Sequence, residues 1–340
     1  MKIAREPYGT TKTGKAVDII TIENSNGYSL QVITYGAYLV SFKAPDKNGR
    51  VEELTRGYDN LEAYMDQPDY HGATVGRYAN RIRQSKFSID GEDYQLEPTN
   101  DQFQLHGGPQ GFNTKIWEAF PIRYDKRASV KLTMTSPDGD QGYPGTLDVA
   151  LTITLTEENE LFFLYEAASD KKTYVSLTNH TYWNLGGRPG EKKIYEQLLQ
   201  INSEKTVAVD KDQVPTGEFA PVAGTVFDFS KPKKIGEGIT SIDADPVGYD
   251  HNFVMSSKKG VQEAASLWDP ESGRFMKVLT DAPGLQFYSD NHDQENPHTS
   301  LCLEAGELPD AMNHKNFYSP LLEPGQLYRQ VTIHSFSIEG

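Results

Sequence analysis

The sequence predicts an all-β protein: one large domain of antiparallel strands arranged as a sandwich of facing sheets, with few short helices. Three observations predict it. Apolar and polar residues alternate with period two from end to end. Strand patterns follow one another without the strand–helix–strand rhythm of a parallel sheet. Finally, 29 Gly, 19 Pro and 19 Tyr suit many strands joined by tight turns. Low-complexity runs, Pro-rich linkers and fixed-period repeats are absent, so residues 1–340 are expected to form a single domain.

Each element has its own warrant, taken along the chain. "DNLEAYMD" predicts a short helix capped by Asp59 or Asn60. "KFSIDGEDYQLE" predicts a hairpin: Phe87 and Ile89 on one arm, the turn-forming pair Asp90-Gly91, then Tyr94 and Leu96. "ASVKLTMTS" puts Val130, Leu132 and Met134 on one face. In "GTLDVALTITLT", Leu147, Val149, Leu151, Ile153 and Leu155 alternate with Asp148, Ala150 and three threonines, a long strand buried on one side. The polar turn "EENE" then leads into "LFFLYEA", the returning arm. "KIYEQLLQI" is ambiguous, because Ile194, Leu198 and Ile201 fit a helix or an extended run. "GRFMKVLTDAPGLQFYS" and "QLYRQVTIHSFSI" add strands near the C-terminus.

Charge and cysteine content narrow the function. A formal net charge of −15 opposes binding to a phosphate backbone and offers no basic stripe to anionic lipid. Neither a nucleic-acid nor a membrane partner is expected; a neutral or cationic small substrate fits better. The single cysteine, Cys302, is read as excluding an intrachain disulfide framework and every cysteine-based zinc pattern. "MKIAREPYGTTKTGK" lacks the apolar core of a signal peptide, and no run of apolar residues is long enough to span a bilayer, so a cytoplasmic location is expected.

The phosphate-binding, dinucleotide-binding, nucleophile-elbow and H-E-x-x-H patterns are all missing. The histidines are scattered, with no close pair at metal-ligand spacing, and no cofactor is expected. What remains is a set of polar segments bordered by Gly, Pro or aromatics, each placed where a strand should end: "GRYANRI", "LHGGPQGF", "NHTYWNLGG", "GYDHNF", "PGLQFYSDN" and "LCLEAGELPDAMNH". They supply Arg81, His106, His180, Asp250, Gln286 and Glu304, with Tyr182, Trp183 and Phe287. Taken singly, each has a plainer reading as a packing ring, a turn residue or a surface charge. Together they are the chemistry a sugar needs: carboxylate, amide and guanidinium groups for its hydroxyls, and an aromatic face for its apolar side. His251, His292, His298 and His314 are assigned structural roles.

In order and spacing, "ITYGAYLVSFKAPDKNG", "NRI", "LHGG", "LTNHTYWNL", "DHNF" and "LE…LPDAMN" resemble the aldose 1-epimerase (galactose mutarotase) family across roughly residues 30 to 330. That resemblance implies a β-supersandwich and a cofactor-free isomerase that interconverts the α and β anomers of hexoses. It implies that the acid is His180, from the family's "NH-x-Y" segment, and that the base is Glu304, from its "C-L-E" segment. It carries sugar binding to Asn80, Arg81, His106, Tyr182, Asp250 and Gln286, with a small aldose as partner and a monomer or homodimer as the assembly. Gly306, Ser85 and Trp183 depart from the family's commoner residues, and they bear on substrate preference rather than on reaction class.

Mutarotation removes a proton from the anomeric hydroxyl and delivers one to the ring oxygen, so two groups of different proton affinity must flank the ring. Glu304 follows the apolar "LCL", and burial there would raise its pKa and strengthen it as a base. His180 titrates near neutrality unaided, and Asp250 or Glu304 is expected to keep it protonated. Arg81 and His106 are expected to hold hydroxyls and the ring oxygen, and Asp250 to accept from two hydroxyls. The rival readings are a non-catalytic sugar-binding sandwich, a glycoside hydrolase using Asp250 with Glu304, and an epimerase of hexose 6-phosphates, which would need a basic pocket rim.

Overall fold

Along Leu147–Thr156 the sequence alternation becomes a burial pattern: Leu147, Val149, Leu151, Ile153 and Leu155 point into the core while Asp148 is exposed. The same happens across a nine-stranded antiparallel sheet. Its order is Glu118–Arg123, Arg127–Ser136, Leu147–Thr156, Glu160–Ser169, Tyr328–Ile338, Arg274–Thr280, Gln262–Trp268, Leu198–Ile201 and Lys233–Lys234. The last long strand of the chain therefore lies in the middle of the sheet, paired to Glu160–Ser169 on one side and Arg274–Thr280 on the other. The computed structural model describes the chain except residues 67, 68, 243, 256–259, 294 and 340.

Two five-stranded antiparallel sheets accompany it. The first is a meander of Lys2–Thr10, Ala16–Glu23, Ser29–Ile33, Leu39–Pro45 and Val51–Glu53. The second runs Pro215–Pro221, Lys205–Val209, Asp250–Val254, Gly284–Tyr288 and Cys302–Gly306. One continuous apolar cluster joins all three, with Ile20 and Phe42 from the first, Leu151 and Phe163 from the nine-stranded sheet, and Phe287 and Leu303 from the second. The all-β expectation holds, and its short helix forms at Leu61–Asp66, where Asn60 Oδ1 accepts from the backbone N–H of Ala63 at 3.0 Å. The other α-helix of the described residues is only Gly236–Ile239.

The hairpin at Lys86–Ile89 and Glu92–Gln95 closes through Asp90 (φ 53°) and Gly91 (φ 87°), the double left-handed turn predicted for Asp-Gly. The ambiguous "KIYEQLLQI" resolves as turn then strand: Leu198–Ile201 pairs with Gln262–Trp268, because its apolar residues find a sheet rather than a helical face to cover.

The second five-stranded sheet positions the site through strand periodicity. On Gly284–Tyr288, Leu285 and Phe287 face the core, so Gln286 and Tyr288 face the other way. Glu304 stands directly opposite Gln286, and Cys302 and Asp250 flank Tyr288 from either side. Glu304 and Gln286 are thus mid-strand residues, where strand ends were expected. They reach the cleft because their whole face borders it.

Candidate active site

His180 lies between two two-residue strands, Thr178–Asn179 and Tyr182–Trp183. Its backbone is clamped to one neighbouring segment: its N–H donates to the Ala73 carbonyl, and its carbonyl accepts from the N–H of Gly72, both at 2.9 Å. The Asn179 side chain adds a bond to the Gly72 carbonyl at 2.9 Å. The imidazole is stacked against Tyr182 with centroids 5.0 Å apart, lies 5.8 Å from Tyr70 with the rings 23° from parallel, and meets the His106 ring edge-on. Backbone and ring orientation are both determined before any ligand arrives.

Glu304 comes from the adjoining sheet and places Oε1 3.6 Å from His180 Nε2. Both side chains are buried. Burial raises the Glu304 carboxyl well above the ordinary carboxylate value; Asp250 adds to the rise and Arg81 opposes it. Burial lowers His180 to about 4, opposed by its own backbone hydrogen bond and by Asp250. The expected raised glutamate is found. The expected histidine that stays protonated near neutrality is not: desolvation outweighs the attraction of Asp250 and holds His180 neutral.

The binding residues are tied to one another. His106, in the left-handed region at φ 52°, donates from its backbone to the Asn80 carbonyl at 3.0 Å, and its Nδ1 accepts from the Asn80 N–H at 3.2 Å. Nδ1 is therefore an acceptor, which puts the proton of the neutral ring on Nε2. Burial, aided by His180 and Arg81, holds His106 well below the usual histidine pKa. Asn80 Oδ1 accepts from the Arg81 backbone at 2.8 Å. The Arg81 guanidinium reaches Asp250 Oδ2 at 3.2 Å, and Gln286 Nε2 donates to Asp250 Oδ1 at 2.7 Å. Arg81 Nε and Gln286 Oε1 are buried without a protein partner.

All eight predicted site residues line one cleft of about 640 Å³. Trp183 and Phe287 do not join it: both are buried in the apolar core, Phe287 because it is the odd residue of an alternating strand. Tyr182 does, but its hydroxyl donates to the Asp69 carbonyl at 2.8 Å and its face supports His180. His292, expected to be structural, lines the cleft wall with its Nδ1 2.9 Å from the Tyr288 hydroxyl. His251, His298 and His314 lie elsewhere, against Phe227, Tyr195 and Asp310 respectively.

Sequence reasoning missed Tyr70, His71, Tyr288 and Arg56. His71 is buried, packs on Tyr58 and edge-on against Tyr182, and has an unpartnered Nδ1. Burial, with Arg56 and His180, lowers it to about 3. The available signal was the aromatic–histidine couplet in "DYHGATVGRYANRI", directly upstream of Asn80 and Arg81. Arg56 pairs with Asp290 at 2.8 Å and Asp293 at 2.6 Å, so the rim's cation is already neutralised. Among the described residues, one group has the composition of a metal site: His180, Cys302 and Glu304.

The arrangement offers a buried acid–base pair, fixed donors beside it and an acidic rim, which is suited to a neutral polyhydroxylated ligand. A family model described as "Aldose 1-epimerase" matches residues 18–335. The chain is 34% identical to a galactose mutarotase of Sus scrofa, with 99% of each chain covered. It is 36% identical to an aldose 1-epimerase of Escherichia coli strain K12, covering 96% of this chain and 97% of that one. The solved structure of a galactose 1-epimerase from Lactobacillus acidophilus superposes with a TM-score of 0.88 at 30% identity, covering 100% of this chain and 99% of that one. No helix among the described residues is long and apolar enough to cross a membrane.

Proposed function

The chain belongs to the aldose 1-epimerase family, and from that membership we propose that it is a mutarotase: it interconverts the α and β anomers of free hexoses such as galactose and glucose, with Glu304 as base and His180 as acid. The observation that carries the assignment of roles is the approach of Glu304 Oε1 to His180 Nε2 at 3.6 Å in a buried corner of the cleft.

The pair holds one labile proton. Protonated Glu304 beside neutral His180, and ionised Glu304 beside protonated His180, contain the same number of protons. Burial by itself favours the first arrangement. Sugar hydroxyls that donate to the carboxylate stabilise its ionised form, and the proton moves to His180. Glu304 then takes the proton of the anomeric hydroxyl while His180 protonates the ring oxygen, and the C1–O5 bond opens to the aldehyde. Rotation about C1–C2 presents the other face of the carbonyl. Ring closure runs the transfers backwards: Glu304 returns a proton to the carbonyl oxygen and His180 takes one from the C5 hydroxyl. Each positioned group contributes about 10²–10⁴-fold.

His106 offers its Nε2–H and Arg81 its positive charge to the oxygens whose charge grows as the ring opens. Asp250, held by Arg81 and Gln286, keeps spare lone pairs for hydroxyls. The same contacts weigh against glycoside hydrolysis, because Asp250 is already committed to two protein donors rather than free as a second catalytic carboxylate. A phosphorylated sugar would meet Asp69, Asp293 and Glu295 at the rim, with Arg56 engaged by Asp290 and Asp293.

The test is polarimetry on freshly dissolved α-galactose and α-glucose with and without protein. Acceleration of both toward their equilibrium rotations is expected. Rates equal to buffer for both would overturn the proposal.

A further inference from the structure

We propose that His292 is a further sugar-binding residue: from the outer wall of the cleft it donates its Nε2–H to an aldose hydroxyl remote from the anomeric carbon, and so helps to decide which aldose is accepted. The choice of ligand rests on the function proposed above; the contact itself can be read by binding as well as by turnover.

The bonding around Tyr288 fixes the donor. The Tyr288 hydroxyl accepts from the backbone N–H of Asn291 at 2.9 Å and from that of His292 at 3.1 Å. Those two bonds fill both lone pairs, so the hydroxyl hydrogen goes to His292 Nδ1, 2.9 Å away. Burial raises the pKa of this phenol, which keeps the hydrogen in place. An imidazole that accepts at Nδ1 carries its proton on Nε2. Among the described residues no protein group bonds that nitrogen. The backbone carrying the ring is held on both sides. Asp290, at φ 54°, accepts from the Ser300 hydroxyl at 2.6 Å and pairs with Arg56, whose other arm takes Asp293. Between them Asn291 is buried, bonded to the Ser289 hydroxyl at 2.6 Å and to the Tyr249 carbonyl at 3.0 Å. His292 itself stays exposed, unlike His71, His106 and His180 of the same cleft.

Its place along the cleft follows from the rings. Tyr288 has its centroid 6.3 Å from that of His180 and 5.9 Å from that of His292. His180 and Glu304 hold the reacting C1–O5 end, so His292, one ring further out, meets the sugar away from that end. The rim around it is otherwise acidic, with Asp69, Asp293 and Glu295. An ionised carboxylate only accepts from a hydroxyl, whereas a hydroxyl can also accept, and Nε2–H supplies that second kind of bond. The contact is made equally before and after ring opening, so it contributes to binding and not to the chemical step.

The experiment follows galactose and its 2-, 3-, 4- and 6-deoxy analogues by titration calorimetry and by polarimetry, in wild type, His292→Phe and His292→Gln. Phenylalanine keeps a ring against Tyr288 without a donor; glutamine restores an acceptor for the Tyr288 hydroxyl and a donor for the sugar. For His292→Phe, Kd and KM for galactose should rise by about 3–10-fold with kcat little changed, and His292→Gln should recover most of the loss. The 3-, 4- or 6-deoxy analogue that lacks the contacted hydroxyl should bind wild type and His292→Phe alike. Unchanged galactose affinity in His292→Phe overturns the proposal. An equal loss for every sugar, or no recovery in His292→Gln, places the effect in the loop and also overturns it. Coupling to the 2-hydroxyl, beside the reacting carbon, overturns the assigned position. If wild-type rates equal those of buffer while one analogue still escapes the loss of binding, the mutarotase reading fails and the His292 contact stands; if wild type binds none of these sugars, both fall.

Discussion

At the scale of single residues, the acid–base pair makes a definite statement about pH. Turnover requires one proton shared by Glu304 and His180. Acid adds a second as His180 titrates toward about 4, and alkali removes the shared one at a value well above the ordinary glutamate range. A bell-shaped profile of kcat/KM is expected, and Glu304→Gln should erase its alkaline limb while lowering turnover by about 10²–10⁴-fold. A retained alkaline limb in that variant would assign the base elsewhere. His71→Phe keeps the ring contacts with Tyr58 and Tyr182 but removes both ring nitrogens from this cleft-lining side chain. A several-fold rise in KM, worth about 1 kcal/mol, with kcat little changed is expected from steady-state polarimetry. That the eight predicted site residues share one cleft could be anticipated from the sequence because their segments keep a recognisable order. The protonation state of His180 could not, since it depends on desolvation by Tyr70, Tyr182 and His106, which only the folded packing supplies.

Whole elements set the geometry that those residues exploit. The loop bearing His106 turns through three successive left-handed residues: His106, Gly107 and Gly108. A β-carbon on Gly107 would lie 1.9 Å from the Gly76 carbonyl oxygen, so Gly107→Ala must displace the His106 loop. Loss of sugar binding and a fall in stability of about 1–3 kcal/mol are expected by titration calorimetry and denaturant unfolding. Arg77 anchors the preceding segment. Its buried guanidinium donates to the Ser136 hydroxyl and to the carbonyls of Ser136, Pro137 and Pro144, all at about 3 Å. Arg77→Met leaves those acceptors buried and unpaired and should cost about 3–5 kcal/mol. Alternation of apolar and polar residues is enough to locate the long strands, and the Asp90-Gly91 pair is enough to locate its hairpin. Neither signal reveals the two-residue strands around His180, whose pairing to Thr74–Val75 and Thr55–Arg56 is a long-range event with no local pattern.

For the molecule as a whole, buried histidines govern acid stability. His71 and His334 are lowered to about 3 and His180 and His251 to about 4, and His106 is also held well below its ordinary value, each chiefly by burial. Below the unfolded value of 6.5 these side chains take up protons only when the chain unfolds, so stability is full above that pH and is lost as pH falls toward the folded values. Glu160, Glu304 and Glu307, all raised by burial, act in the opposite direction but are outnumbered. His334 has neither ring nitrogen partnered, and His334→Phe should flatten the decline between pH 6.5 and pH 5 by up to about 1.4 kcal/mol per unit, read from thermal melts. The apolar cluster that joins the three large sheets predicts that they unfold in one cooperative transition. The position of Tyr328–Ile338 also matters during synthesis. While that segment is still inside the ribosome, the flanking strands expose unpaired hydrogen-bonding edges where the gap will later be filled. The emerging chain therefore waits for Tyr328–Ile338, and in that interval it is most open to chaperone capture or to pairing with a neighbouring nascent chain.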